Sequence, residues 1–574
     1  MIPPAEIVAR SKLSDWYRPD RIDPSTIPET IVRTILDGSD RRNLRDFLNP
    51  SIKGMPSPLS LKDVRIATQL FVDALFDKKR IVVVGDYDVD GVCSVVLMVR
   101  FLQEIGHANF RHFIPNRFDH GYGLTQKALP SVLDLNPDLV VTVDTGIAAK
   151  EEVECLLRRG TDVIVTDHHA PSEERLPNCA ILNPKQTECD FPFKDVSGVG
   201  VAYLLLVAIR TELRNRGFWP DRRNEPNMLK HLDLVALGTV ADQVPLLGLN
   251  RIFVRHGLEQ MTKRVQCERG SRFFFYLRAF AAYRAIRSFD SSTIGFYLGP
   301  LLNAAGRLND ASFAVRFLLS DSEAEAGKNL KELNRFNSKR KRLQQSMTKR
   351  AQTQAEREAN LHSGILIYDE TFHEGVIGIV AGRLSDRFRL PTIVATEGEN
   401  GAVKSSCRSK HADILEILNA CDAHLLQYGG HANAAGCSFR KEDLQRFRKD
   451  FYEACARLAA SRAPDVVTTD IEVTPEMMNA ALCEYLKILE PFGMKNRRPL
   501  FMLSGIGLRN PQVMSGKHLK WKLRHDLEMV YWDGAFQFRE ADKYTVACSL
   551  EENLFRGVRK IQLVVKALNG LSSP

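Results

Sequence analysis

Three short segments of this chain combine carboxylates and imidazoles in a way that suits divalent cations. Gly85-Asp86-Tyr87-Asp88-Val89-Asp90-Gly91 offers three carboxylates, Asp144-Thr145-Gly146 a fourth, and Asp167-His168-His169 a fifth with two imidazoles. The apolar stretch Leu234 to Pro245 adds Asp242. Carboxylates gathered in one cleft cannot all stay charged without cations among them. Oxygen-rich ligation with one or two His and no thiolate fits Mg²⁺ or Mn²⁺ better than structural Zn²⁺, and the imidazoles lean toward Mn²⁺. Each segment alone has a plainer reading. D-x-D-G also opens Ca²⁺ loops and aspartyl-phosphatase sites, an Asp after a strand often only caps a helix, and paired His can sit in a structural loop. All three in order, each closing an apolar run, favour the metal reading.

The elements that must position these groups are legible nearby. Ile81-Val-Val-Val84, Leu139-Val-Val-Thr-Val143 and Val163-Ile-Val-Thr166 are β-branched runs without polar alternation, as strands buried on both faces are. Ligand sites in such parallel sheets lie beyond the strands' carboxyl ends, so the acidic segments can converge although far apart in sequence. The chain of 574 residues is too long for one core. The expected architecture is α/β multidomain. A lead-in spans 1–77, a doubly wound parallel-sheet domain 78–250, a helical connector 251–360, a second smaller α/β domain 361–460, and a β-barrel or sandwich 465–574. Within the connector, Lys328 to Arg350 holds nine Lys/Arg against one acid, Glu332, with Leu330, Leu333, Phe336, Leu343 and Met347 at helical spacing. This predicts one long helix with a packed stripe and a basic exposed face.

Composition sets outer limits. Hydrophobic content of 44% and charged content of 26% fit a globular chain. The net charge of +9 permits a polyanionic partner without proving one. No apolar run approaches the roughly 18 residues of a membrane span, and the start has no signal-peptide core. Eleven cysteines without a C-x-x-C pair argue against a disulfide framework and for a reducing cytoplasm.

D-Y-D-V-D-G, D-T-G, D-H-H and A-D-Q-V-P, in that order, resemble the four signature segments of the DHH phosphoesterase superfamily. Gly299-Pro-Leu-Leu-Asn303-Ala-Ala-Gly-Arg307, His373 to Arg383, Ser406-Cys-Arg408-Ser409 and Gly429-Gly430-His431, with the β-rich C-terminus, narrow the resemblance to its single-strand-specific 5′→3′ DNA exonuclease branch. The resemblance implies a DHH catalytic domain, a DHHA1-like substrate-binding domain and a C-terminal OB-fold. It implies two divalent cations, Mn²⁺ or Mg²⁺, that activate water, with Asp88 and Asp144 on one ion and Asp90, Asp144, His168 and Asp242 on the other. Where many members carry a His, this chain has Val84, and Asp86 is expected to fill that vacancy. Asp167 is expected to orient a His, and His169 to contact the phosphate. Arg117, Ser406 and Arg408, joined by Arg383, are expected to grip the 5′-terminal phosphate, Asn303 and Arg307 to contact the strand, and the glycines of Gly429-Gly430-His431 to let backbone N–H groups approach a phosphate. Single-stranded DNA is the implied substrate. A single-strand-binding protein and a helicase are implied partners, and the chain is expected to be monomeric, with no membrane association. Three departures stand out: Leu301 where an Arg is usual, Ser405 and Cys407 in place of glycines beside Ser406, and Lys495 and Arg497 in the usual G-M-G-N-P of the third domain. They bear on phosphate gripping and processivity rather than on the metals. In Lys517 to Arg524 the alternation puts Leu519, Trp521 and Leu523 on one face and Lys520, Lys522 and Arg524 on the other, with Trp521 read as a core residue.

Overall fold

The computed structural model describes residues 6–17, 23–37, 44–266, 274–398, 401–460, 466–555 and 558–571. A first strand, β1 (Glu6–Ser11), precedes helices Ile27–Asp37 and Leu44–Leu48. A five-stranded sheet follows, with β2 (Ile81–Gly85), β3 (Phe110–Phe113), β4 (Leu139–Val143), β5 (Asp162–Thr166) and β6 (Ala180–Leu182). All are parallel, in the order β3-β2-β4-β5-β6. Successive residues of the β-branched runs serve two cores. Ile81, Val83, Leu139 and Val141 pack with helices Val89–Glu104, Gly198–Asn215 and Leu232–Ala241, while Val82, Val84, Val140 and Val163 pack with Leu129, Val132, Val153 and Leu156 on the opposite face. Strand order reverses between β2 and β4, the crevice where ligands of doubly wound sheets bind.

Helix Glu323–Leu361 is a 39-residue spine, about 58 Å long at 1.5 Å per residue. Its first half buries Ala326, Leu330, Leu333 and Phe336 in the core around the first sheet, and its second half buries Met347, Ala351 and Ala355 in the next lobe. The expected stripe therefore ties two lobes together. The second lobe has β7 (Ile365–Tyr368), β8 (Thr392–Glu397), β9 (Ala402–Arg408), β10 (Gln427–His431) and β11 (Ala434–Arg440), in the order β10-β11-β9-β8-β7. Helix Glu374–Phe388 connects β7 to β8 and faces the first lobe.

The remaining sheet combines both chain ends. Its strands β12 (Val466–Glu472), β13 (Phe501–Ile506), β14 (Gln512–Met514), β15 (His518–Arg524), β16 (Leu527–Tyr531), β17 (Lys543–Phe555) and β18 (Val558–Leu571) are joined by β1, which pairs in parallel with β12. The order is β1-β12-β13-β17-β18-β16-β15-β14. Ile31, Val32, Ile35 and Phe47 share one core with Trp521, Leu519 and Leu563. The first part of the lead-in thus belongs to the C-terminal unit, while Val64–Phe76 belongs to the core around the first sheet. The Ser461–Pro464 boundary lies outside the described residues. Trp521 is buried as expected, but the basic face of β15 is partly neutralised: Lys520 meets Glu528 at 2.9 Å and Arg524 meets Asp526 at 2.6 Å. Among the described residues, no helix is long and apolar enough to cross a membrane.

Because Ile31 is fully buried in the C-terminal core, Ile31→Ala should destabilise that unit by about 2–4 kcal/mol. Near-ultraviolet circular dichroism of its tryptophans during denaturation should report an earlier loss of C-terminal packing. An unchanged transition would mean that the N-terminal helices do not support that core.

Candidate active site

The acidic residues gather where β2, β4 and β5 end. Asp88 caps helix Val89–Glu104: its Oδ1 accepts from Asp90 N at 2.8 Å and Gly91 N at 3.2 Å. Asp90 lies in the first turn, and its carboxylate accepts from Gly198 N at 2.7 Å and Val199 N at 3.1 Å, at the start of helix Gly198–Asn215. Such a helix N-terminus favours negative charge. Asp144 sits just past β4 with φ of 59°, a left-handed conformation that costs a non-glycine residue energy and that clusters at functional sites. A Cβ on Gly198 would stand 2.2 Å from Asp144 Oδ1, and one on Gly238 would stand 2.5 Å from Asp90 Oδ1. Only glycine lets these helices come so close. Asp242 follows helix Leu232–Ala241 as its C-cap.

Potential ligand atoms of Asp86, Asp88 and Asp144 lie within 4.8 Å of one another. So do those of Asp90, His168 and Asp242, and those of Asp144, His168 and His169. His168 Nε2 is 3.2 Å from Asp144 Oδ1, 3.6 Å from Asp242 Oδ2 and 4.0 Å from Asp90 Oδ2. Burial, and then neighbouring carboxylates, push Asp86 and Asp144 well above the ordinary carboxylate range. The same causes raise Asp90 to about 7 and Asp242 to about 8, while burial holds His168 neutral at about 3. Among the described residues, Asp86 Oδ1, Asp144 Oδ1 and His168 Nε2 are buried without a well-aligned hydrogen bond, and buried polar atoms are rarely left so. Orphaned carboxylate oxygens converging on a neutral imidazole are a donor set that divalent cations satisfy.

Asp167 acts on the neighbouring His rather than on the buried one. Its Oδ1 accepts from His169 Nδ1 at 2.7 Å and from the main-chain N of His168 and His169, and its Oδ2 accepts from Ile147 N. Burial alone would raise Asp167, but these bonds pull it below the usual range. Burial works against the charge of His169 too, yet Asp167 raises it to about 9. The other edge of the imidazole, Nε2, meets Tyr122 Oη at 3.1 Å, a contact with no mark in the sequence.

Beside the acidic cluster stands a basic pocket. Tyr87, between Asp86 and Asp88, packs its ring under Arg117, whose guanidinium carbon lies 4.3 Å from the ring centre. Burial lowers Arg307 to about 10, and so do Arg117, Arg340 and Arg408. Like charges gathered in this way leave room for an anion. Arg408 Nη1 donates to Ser406 Oγ at 3.0 Å. Helix Glu374–Phe388 reaches both walls: a Cβ on Gly375 would stand 2.0 Å from Arg307 O, and one on Gly378 would stand 2.9 Å from Ser406 Oγ. Arg340, from the spine helix, is one of many basic residues in the sequence and only folding singles it out. Arg383 is exposed beside Arg340 and faces the Gln344 amide. Asn303 is half-buried on helix Gly299–Leu308, which carries Arg307.

Gly429, Gly430 and His431 lie exposed on β10, an edge strand of the second lobe. Among the described residues they make no ion pair or hydrogen bond with the acidic cluster. Strand alternation also separates the departures from the pocket. Ser406 and Arg408 face outward on β9, while Ser405 and Cys407 point into the core, where Ser405 Oγ donates to Cys437 O. Leu301 is buried in the core around the first sheet. Arg497 pairs with Asp470 at 2.8 Å, so its added charge is answered locally.

Residues 80–239 match the DHH family N-terminal domain, 361–457 the DHHA1 domain and 469–567 the RecJ OB domain. The chain is 36% identical over 562 residues to the single-stranded-DNA-specific exonuclease RecJ of Escherichia coli, covering 94% of this chain and 96% of that one. It is 34% identical over 517 residues to RecJ of Thermus thermophilus, covering 89% and 71%. The crystal structure of Thermus thermophilus RecJ in complex with Mn²⁺ has a TM-score of 0.79 at 30% identity, covering 99% of this chain and 80% of that one. The corresponding Mg²⁺ complex has a TM-score of 0.74 at 28% identity, covering 99% and 79%. With three domain matches in order and identity above a third across nearly the whole chain, the protein belongs to the RecJ exonuclease family.

Proposed function

We propose that this chain hydrolyses single-stranded DNA from its 5′ end to 5′-mononucleotides, using two divalent cations, Mn²⁺ or Mg²⁺. The observation that carries the reading is the juxtaposition at Tyr87: carboxylates on either side of it face the converging ligands, and its ring carries Arg117 of the basic pocket. An end phosphate held by arginines beside the metal site would present the first linkage to it, which accounts for exonucleolytic action and direction. The single-stranded DNA specificity named for the relatives supports the substrate.

Asp86, Asp88 and Asp144 would hold one ion and Asp90, Asp144, His168 and Asp242 the other, with Asp144 shared. Bound there, the cations would supply an activated water and neutralise charge on the scissile phosphate. The residues do the rest. Asp167 holds His169 protonated and oriented, with Tyr122 on its far edge, so that it can donate to a phosphate oxygen. Arg117, Arg307, Arg340, Arg408 and Ser406 would bind the 5′-phosphate by charge-assisted hydrogen bonds. Asn303 would contact the strand near Arg307, Arg383 would serve the pocket's outer edge, and Gly429, Gly430 and His431 would meet the backbone at the sheet edge. The reading extends to a cytoplasmic monomer in recombination and repair, working with a single-strand-binding protein and a helicase.

Digestion of 5′- and 3′-labelled single and double strands tests the function. The 5′ label should be released first, as a mononucleotide, from single strands only, and chelator should abolish release. Asp144→Ala should lose at least about 10³-fold in rate while retaining strand binding. Release from the 3′ end, or metal-dependent cleavage by that variant, would overturn the reading.

Asp90 and Asp242, raised to about 7 and 8, carry protons in the neutral range that cations must displace. Calorimetry in buffers of different ionisation enthalpy should therefore show proton release on Mn²⁺ binding at about pH 7. Raised carboxyl groups stabilise the metal-free fold fully below their unfolded values, near pH 4. That stability is lost as pH rises through about 7 to 8. In chelator the melting temperature should fall across this window, and Mn²⁺ at about a hundred times its Kd should add about 2.7 kcal/mol. A melting temperature that rises with pH in chelator would contradict the assignment.

A further inference from the structure

Arg251 is 1% exposed, on the helix Gly248–Gln266 that follows Asp242. Its guanidinium ties together segments far apart in the chain. Nε donates to Phe47 O at 2.7 Å, Nη1 to Leu489 O at 3.1 Å, and Nη2 to Glu490 O at 2.7 Å and Ile488 O at 3.5 Å. The same group lies over the Phe47 ring, 3.8 Å from its centre. Phe47 and Leu489 both belong to the core of the C-terminal unit, so one cation grips that unit from two sides. Charge-assisted bonds to carbonyls are stronger than neutral ones, and a buried guanidinium needs them.

The same joint reaches the metal site along the chain. After Asp242 come Gln243, Val244 and Pro245, and then Leu246, whose N donates to Met494 O at 2.9 Å. A Cβ on Gly493 would stand 2.5 Å from Leu246 Cδ1, so the departed G-M-G-N-P segment seats on Leu246 through a glycine. Ser291 Oγ donates to Phe492 O, and Asn496 Nδ2 closes the turn on Leu489 O and Pro491 O. On the other side, the helix of Arg251 packs hard on Leu232–Ala241, which ends at Asp242: a Cβ on Gly257 would stand 2.2 Å from Leu232 O. The helix that ends at Asp242 is thus held by backbone packing that does not use the Arg251 side chain, while Arg251 and the Leu246 turn fasten the third domain to that helix pair.

We infer that Arg251 is a positioning residue for the exonuclease reaction: it fixes the C-terminal strand-binding domain to the helix pair that carries Asp242, so that a strand held on that domain is turned over faster at the metal site. The inference rests on the proposed function and adds a coupling to it. Packed interfaces of this kind shift between discrete arrangements rather than flexing continuously, so loosening the joint should uncouple the domains while each remains folded.

The test compares a 5′-phosphorylated trinucleotide, too short to reach an OB-fold footprint of about 4–16 nucleotides, with a strand several times longer than that footprint. Full-length parent, Arg251→Met, Arg251→Lys and Ser291→Ala are assayed with Mn²⁺. On the trinucleotide, kcat/KM should stay within about twofold of the parent for every variant. On the long strand, kcat of Arg251→Met should fall at least about tenfold, Arg251→Lys should recover part of the loss, and Ser291→Ala should fall in between. Equal losses on both substrates would show a role in stability alone and overturn the inference, as would unchanged turnover of the long strand. Should Arg251→Met fail to fold, the ratio of the two activities in Ser291→Ala decides by the same criterion. A parent inactive on both substrates would instead sink the proposed function itself.

Discussion

The rest of the structure depends on the cost of burying carboxylates side by side at one crevice. Asp86, Asp90 and Asp144 are each about 1% exposed, and removing even one such charge from water is costly. The fold accepts that cost by local measures visible in the chain. Asp144 takes a left-handed conformation, Gly198 and Gly238 remove the Cβ atoms that would exclude it and Asp90, and the start of helix Gly198–Asn215 gives Asp90 two N–H donors. None of this neutralises the cluster. Among the described residues no lysine or arginine pairs with Asp86, Asp90 or Asp144; the last two share the neutral His168, and all three hold protons that cations from outside can displace.

The larger architecture follows from where that crevice opens. It lies at the point where strand order reverses in a parallel sheet, so the helix that begins at Val89 and the loop after β4 both point into it. The spine helix then carries a second lobe across the opening. Contact between the lobes is made through Gly375 against Arg307, which brings guanidiniums from both lobes and from the spine into one pocket. Acidic and basic clusters thus form at a lobe interface, where a chain of phosphates can touch both. The rate advantage available from such fixed opposite fields is large because the strand need not reorganise them.

Much of this was legible in the residues. The β-branched runs named the central strands because a strand buried on both faces tolerates little else, and the acidic segments announced themselves by type and order. Short strands such as β3, with Arg111 and His112 within it, carried no such pattern. The N-terminal strand β1 was hidden for a different reason: its partner β12 is at the other end of the chain, and parallel pairing over that distance leaves no local signature. Site residues that work through side-chain approach, such as Tyr122 on His169 or Arg340 in the basic pocket, were equally invisible, since Tyr and Arg are common and only their neighbours give them meaning. The departures at Ser405 and Cys407 show the converse. Beside Ser406 and Arg408 they looked like intrusions into the pocket, yet strand alternation turns both side chains into the core.

The central claim is that the crevice holds two cations with Asp144 between them. Anomalous diffraction from crystals of the protein grown in Mn²⁺ addresses it without reference to activity. Two peaks are expected, about 3.5–4 Å apart, one against Asp86 and Asp88, the other against Asp90, His168 and Asp242, with Asp144 touching both. A crevice without anomalous density, or manganese found only at sites away from these side chains, would contradict it.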